Sequence, residues 1–564
     1  MRKSRLFLLL FVCLSIFTFG ADANPYVEKF KFFTLLPPLI AIILAFITKN
    51  VILSLIIGVL SGSMLINSGN VVKSFTDLCS RIIASMADSW NAGIILQVLV
   101  IGGLIAVITK MGGARAIAES LSKRAKTPAS AQIIAWLMGL FIFFDDYANS
   151  LIVGPIMKPI TDKMRISREK LAFIIDSTAA PVAGLALVST WIGYEISLIK
   201  DGYSIIGDNS INAYGIFMET IPYRFCNILM LIFVVLSGYM LREFGPMYKA
   251  EKRARTTGKV TEVEVDEDAG DDMLKEKAGI TPSIWDALIP ILTLIIGALV
   301  GFYFNGLGTL EGETLKAVKA SPFSMYAIRE TFGASDASVV LFEAALFASI
   351  VAIIMGVAKK VFSVTEALDT WIHGMKHLVI TGVILLLAWS LSSVIKELGA
   401  STYLVSLLSN SVPKILLPSI IFILASIISF STGTSYGTMG ILMPLAIPLA
   451  DAIAKVNGLE GASLHNYIVI TVSAVLTGAI FGDHCSPISD TTILSSMGAS
   501  CEHLAHTKTQ IIYAISVASI AIIFGYLPTA MGINVWISLG IGTIAVWALL
   551  RFVGKSVKNL ELEK

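Results

Sequence analysis

Hydrophobic residues along this 564-residue chain gather into long unbroken runs rather than amphipathic stripes. Runs of a length suited to crossing about 30 Å of hydrocarbon lie at 34–48, 51–67, 93–109, 170–199 and 225–241. A second set lies at 284–304, 339–358, 377–395, 467–497 and 511–527, with a last run at 531–550. Two further segments, 131–157 and 415–450, are apolar but interrupted in the middle by small and polar residues. The pattern predicts an all-α polytopic membrane protein.

Lys and Arg accumulate on the cytoplasmic side of membrane proteins, so their placement orients the runs. The loop 110–126 carries Lys110, Arg115, Lys123, Arg124 and Lys126, and the segment 158–170 carries Lys158, Lys163, Arg165, Arg168 and Lys170. Only 131–157 separates these two basic stretches. A single crossing would put one of them outside, so 131–157 is read as a re-entrant hairpin with its tip at FFDDYANS. Counting onward places the N-terminus, 200–224 and 305–337 outside. It places the Lys359/Lys360/Lys376 loop and the tail with Arg551, Lys555 and Lys558 inside. The second interrupted segment, 415–450, then opens to the outside.

Each half becomes three spans, a re-entrant hairpin, a broken transmembrane helix and one further span, in opposite orientation. That is an inverted-topology repeat, 34–241 and 284–527, with an extra C-terminal helix at 531–550. An offset of 286 lays Phe144 on Phe430 and Gly154 on Gly440, and an offset of 306 lays Pro181 on Pro487 and Ser189 on Ser495.

Composition sharpens the picture. Charged residues are 15% of the chain, against about 25% in soluble domains. A net charge of +2 gives no footprint for nucleic acid, and five cysteines make no disulfide scaffold. No GxxxxGK[ST] phosphate loop occurs, so ATP-driven transport lacks support. Residues 242–279 hold 18 of the 82 charged residues, including KAEKRAR and DEDAGDDM. The region 242–283 reads as a solvated cytoplasmic linker between the repeats. A basic MRKSR, the apolar LFLLLFVCLSIFTF and Ala21-Asp22-Ala23 read as a signal peptide over 1–23.

Polar and ionisable residues within spans mark functional sites, and they cluster at the four interruptions. The first hairpin tip supplies Asp145, Asp146, Asn149 and Ser150, and the broken span after it supplies Asp176, Ser177 and Thr178 ahead of Pro181. The second hairpin supplies Ser431, Thr432, Thr434 and Ser435 without a carboxylate. The second broken span, FGDHCSPISDTTILSS, supplies Asp483, His484, Ser486, Ser489, Asp490 and Thr491. Unwound carbonyls, hydroxyls and a carboxylate together suit a small hard cation such as Na+. A buried carboxylate without its cation takes a proton instead, which is the minimal requirement for exchange. Asp483 and Asp490 lie about two helical turns apart and are the favoured Na+ carboxylates. His373 and His377 lack the acidic residue of HExxH, which argues against a metalloenzyme, and His503 and His506 read as interface residues.

FFDDYANSLIVGPIMKPITDK, DSTAAPVAGLALVSTWIGYE, SFSTGTSYGTMGILMPLAIP and FGDHCSPISDTTILSS together resemble the NhaC-type Na+/H+ antiporter family, over roughly 90–240 and 375–530. That family belongs to the broader ion-transporter superfamily, and the resemblance implies inverted repeats with opposed hairpins. The reading is a secondary antiporter of the cytoplasmic (inner) membrane, exchanging cytoplasmic Na+ for external H+ without enzymatic activity or cofactor. Its partners are the lipid bilayer and a small cation. Because the resemblance extends to malate/lactate exchangers, a Na+- or H+-coupled carrier of a small carboxylate or amino acid is the alternative. A homodimer also stays open.

Overall fold

The computed structural model describes residues 25–48, 50–143, 146–187, 189–209, 211–262, 281–408, 411–558 and 560. The expected signal peptide over 1–23, the acidic stretch of the linker and Asp145 lie outside the described residues.

The first half opens with α1 (Leu36–Thr48), α2 (Val51–Ile66), the amphipathic α3 (Val71–Ala87) and α4 (Ser89–Lys110). Next come the hairpin arms α5 (Pro128–Phe141) and α6 (Asp146–Lys163). The broken span follows as α7 (Arg168–Thr178) and α8 (Ile192–Ile205), and then α9 (Phe225–Met240). A connecting helix, α10 (Gly245–Thr257), precedes the second half. That half contains α11 (Trp285–Thr309), α12 (Ala337–Ala358), α13 (Val364–His377) and α14 (Val379–Leu398). Its hairpin is α15 (Leu417–Thr432) with α16 (Ser435–Val456), and its broken span is α17 (Gly461–His484) with α18 (Asp490–Gly498). The chain closes with α19 (His503–Ile520) and α20 (Val535–Phe552).

Among the described residues, eight helices are long and apolar enough to cross a membrane. They become nine if Ala213–Tyr223 and Phe225–Met240, bent by 46°, form one span. The arms α5 and α15 are not among these eight. At 14 and 16 residues they extend about 21 and 24 Å, short of the roughly 30 Å core. Local sequence explains where they begin and end. Thr127 accepts from the Ser130 amide at 3.1 Å to start α5. Gly433 takes a φ of +67° to end α15, a left-handed conformation that glycine adopts without strain.

Packing gives the two repeats their relation. Each hairpin lies against the first half of its own broken span, α5 and α6 on α7, α15 and α16 on α17. Each second half-helix then crosses to the other repeat, with α18 on α6 and α8 on α16. The chain therefore enters beside one hairpin and leaves beside the other, so the hairpins approach the centre from opposite ends. Small residues permit the close contacts, as is usual between helices in lipid. A Cβ on Gly478 or Gly482 of α17 would overlap the Phe422 or Ser426 carbonyl of α15. A Cβ on Gly154 of α6 would overlap the Gly498 carbonyl of α18.

The charged run after α9 departs from the solvated-linker expectation. Residues 245–257 are helical, with Met247, Ala250, Glu251 and Ala254 buried. Glu251 accepts from the Ser167 amide at 2.7 Å and its hydroxyl at 2.9 Å, and Arg253 pairs with Glu169 at 2.9 Å. Just before α10, the buried Glu243 meets the buried Lys170 at 2.9 Å. Burial holds the Glu243 carboxyl above the usual carboxylate range, with Lys170 pulling the other way. The run is ordered because its charges find partners at the start of α7 instead of water.

The architecture makes a labelling prediction. Lys126 and Lys163 are exposed at the two ends of the first hairpin. Single cysteines there should react with an impermeant maleimide only from the cytoplasmic face, and labelling from opposite faces would turn the hairpin into a crossing.

Candidate ion-binding site

Two hairpin tips and two helix breaks meet at the centre of the molecule, and their polar groups are largely committed to one another. Asn149, near the start of α6, donates to the carbonyls of Gly139 and Thr178, both at 2.8 Å. It thereby ties the hairpin arms to the end of α7. Ser150 contacts Ser495 of α18 at 3.1 Å and the Asp146 carbonyl at 3.1 Å, and Asp146 is buried at the head of α6. The Thr178 hydroxyl turns back to Ile174 at 2.9 Å, so it closes a helix end and does not face the centre.

The first break is closed from every side. Its carbonyls accept from Asn227 at Pro181 (3.2 Å), from Ser189 at Ala183 (2.9 Å) and from the Arg224 guanidinium at Gly184. Arg224 also forks onto Glu195 of α8, and both side chains are fully buried. Neither was singled out in the sequence, although each is an ionisable group beside or within an apolar run, which is the signal that marks such positions. Near this break, Thr190 Oγ1, Trp191 Nε1 and both amide atoms of Gln97 are buried without a protein partner among the described residues. Gln97 sits directly against Gly193 at the start of α8.

The second break differs. Asp483 lies in the last turn of α17, and its Oδ2 accepts from the Ser435 hydroxyl at 2.7 Å. The buried Ser489 is a second hydroxyl neighbouring that carboxylate. The Ala479 carbonyl is 3.3 Å from Ser435 Oγ, and Ser435 heads α16 immediately after the hairpin tip. No cation partner of Asp483 occurs among the described residues. The negative end of the α17 dipole points the same way. A carboxylate, two hydroxyls and a carbonyl thus converge beside a helix terminus, an oxygen-rich set that fits a small cation.

The other expected residues divide around this pocket. Ser486 donates to the Phe430 carbonyl at 2.7 Å, joining the break to the hairpin, and Thr491 bonds Ser489 at 2.9 Å. Thr434 caps α16, whereas Ser431 and Thr432 bond back to Ile427 and Ile428 within α15. Asp490 does not share the buried pocket. Residues 485–489 are unwound, which resets the helical phase behind the two-turn spacing, and Asp490 emerges exposed at the head of α18 beside Tyr147.

Asp176 lies apart from the Asp483 hydroxyls, in a separate cluster. It accepts from Gln510 at 2.6 Å and faces His484 at 3.6 Å and His506 at 3.8 Å. Ser177 contacts His484 Nε2 at 3.5 Å. Gln510 and His506 were not legible as site members, because the Asp176 they face lies more than 300 residues earlier.

Comparison with known proteins follows the same lines. The sequence matches the Na+/H+ antiporter family over residues 27–186 and 182–529. An uncharacterized protein from Haemophilus influenzae is 34% identical over 501 residues, covering 88% of this chain and 90% of that protein. A malate-2H(+)/Na(+)-lactate antiporter from Bacillus subtilis is 36% identical over 93 residues, 16% of this chain and 18% of its own length. Among solved structures, the YdaH transporter of Alcanivorax borkumensis shares the fold with a TM-score of 0.54 at 14% identity, covering 81% of this chain and 90% of its own.

The Arg224–Glu195 pair carries a stability prediction. Arg224→Leu strands Glu195 in the bilayer interior and should lower stability by about 3–5 kcal/mol. A fall in melting temperature in detergent would show it, with partial recovery in the Arg224→Leu/Glu195→Leu double variant. A single variant as stable as the parent would mean the pair does not hold the break.

Proposed function

This chain belongs to the Na+/H+ antiporter family, and from that membership we propose that it exchanges Na+ for H+ at the Asp483 pocket. It is a multi-pass membrane protein and a secondary active antiporter; its seat in the cytoplasmic membrane, with Na+ leaving the cytoplasm as H+ enters, is part of the proposal. The single observation that carries the reading is Asp483, a buried carboxylate held by hydroxyls rather than by a cation. The Arg224 guanidinium fills the corresponding need at the first break.

A carboxylate enclosed in this way is stable with a cation beside it or with a proton on it, and the two occupants exclude each other. In the Na+-bound form, the Ser435 and Ser489 oxygens and the Ala479 carbonyl would turn toward the ion with Asp483. In the proton-bound form, the same hydroxyls hydrogen-bond the carboxyl. Opposed hairpins reaching the pocket from both ends are what alternating exposure to the two faces requires. The reading calls for no cofactor.

A second reading has its own support. Trp191 Nε1, Thr190 Oγ1 and the Gln97 amide are buried, unpartnered groups near the first break. Such donors would suit a small carboxylate carried with Na+ or H+. Uptake of labelled malate or lactate into proteoliposomes, driven by a Na+ or pH gradient, separates the two readings.

Asp483→Asn keeps the shape and removes the exchangeable charge. In proteoliposomes it should reduce Na+-dependent proton flux to the protein-free background, while Asp490→Asn should retain measurable exchange. Full activity of a folded Asp483→Asn protein would remove this pocket from the mechanism.

A further inference from the structure

Resting on the antiport reading, we propose that protons enter the core along their own side-chain relay, His503–Ser496–His506–Asp176, which ends in the cluster that adjoins Asp483 through His484 and is separate from the path of the cation.

The geometry comes from four segments. His503 and His506 stand one turn apart at the start of α19, and both Nδ1 atoms face the single Ser496 hydroxyl of α18, at 3.0 and 2.8 Å. His506 Nε2 faces Gln510 Oε1 at 2.7 Å and Asp176 Oδ2 of α7 at 3.8 Å. Asp176, His506, Gln510 and Ser496 are all buried. His503 is half-buried beside exposed Leu504 and near exposed Lys508, so the chain of contacts runs from surface to centre. Arg168 donates to the Ser500 carbonyl at 3.1 Å at this same end, the end that the basic residues assign to the cytoplasm.

The fixed partners determine where hydrogens sit. The Gln510 amide nitrogen donates to the His484 carbonyl and to Asp176 Oδ2, both acceptors, so its oxygen must accept from His506 Nε2–H. His503 Nε2 lies 2.7 Å from the Pro487 carbonyl and must likewise carry a hydrogen. With both imidazoles neutral, their Nδ1 atoms are acceptors. The Thr492 carbonyl, 2.7 Å from Ser496 Oγ, is a third. Three acceptors then compete for one hydroxyl proton. One additional proton relieves the conflict, because either imidazole can become a donor to the Ser496 oxygen while the hydroxyl donates to the other.

Such an arrangement moves charge with balanced bonds. The His503 Nδ1–H bond breaks as an O–H bond forms at Ser496. The former Ser496 O–H bond breaks as an N–H bond forms at His506 Nδ1, which makes that ring the imidazolium. His506 then gives its Nε2 proton to Asp176 Oδ2 across a gap that a small ring rotation closes, and remains neutral with hydrogen on Nδ1. A Na+ ion cannot follow, because no step in the chain offers it an oxygen cage.

The charged and titratable groups facing His506 are few. They are Asp176 from α7, His484 from α17 and His503 from its own helix. From α18 the facing group is Ser496. The contacts of α9 and of the segment leading into α10 with α19 come further along, at Tyr513, through Phe233, Phe244 and Glu243. Lys170 of α7 is engaged there by Glu243 and Ser237.

The test uses the full chain in proteoliposomes, with isotopic Na+/Na+ exchange and Na+/H+ exchange measured side by side. Ser496→Ala and His503→Gln should each lower Na+/H+ exchange by about a hundredfold, the scale of a lost proton-transfer group. Na+/Na+ exchange should stay near the parent rate, and Ser496→Thr, which keeps the hydroxyl, should restore proton coupling. Unchanged Na+/H+ exchange in folded Ser496→Ala and His503→Gln proteins would overturn the relay. A parallel fall of both exchanges would also overturn it, since it would mark a purely structural role. If the unaltered protein showed neither exchange, the antiport reading would fail first and take the relay with it.

Discussion

A helix interrupted inside a bilayer frees carbonyl groups that lipid cannot satisfy, so the protein itself must meet them. The centre of this molecule is organised by that demand. Asn149 serves Gly139 and Thr178, Asn227 serves Pro181, and Arg224 serves Gly184. Ser486 serves Phe430, His503 serves Pro487, and Gln510 serves His484. Most of these donors come from a different segment than the acceptor. Satisfying the breaks therefore clamps hairpins, half-helices and flanking spans into one core.

The two repeats meet the demand with opposite electrostatics. At the first break a positive charge is built in, and Glu195 balances it. At the second, Asp483 accepts from the Ser435 hydroxyl and has no cation partner among the described residues. An ion pair in the bilayer interior is a fixed structural feature, because separating it is costly. A lone carboxylate is an exchangeable one.

Much of this was legible in the sequence. Basic stretches on both sides of one apolar segment indicated the hairpin at 131–157, and the glycines and hydroxyls of FSTGTSYGTMG indicated the second. A carboxylate next to a Pro-containing break is what singled out Asp483. What escaped detection depended on distant pairing. KAEKRAR has the composition of a solvated run, yet Glu251 and Arg253 find Ser167 and Glu169 more than 80 residues earlier. The two-turn spacing of Asp483 and Asp490 holds only on a continuous helix, and residues 485–489 are not helical. His503 and His506 read as interface residues because Asp176 becomes the neighbour of His506 only in the fold.

The central claim is that Na+ and H+ exclude each other at one buried carboxylate, and proton release on Na+ binding tests it most directly. Purified protein in detergent and dilute buffer would be titrated with NaCl, with choline chloride as the ionic-strength control, while a pH indicator follows the solution. The account predicts a saturable release of protons with Na+ and none with choline, and an apparent Na+ affinity that weakens as the starting pH falls. Saturable Na+ binding with no proton release, and an affinity independent of pH, would contradict it.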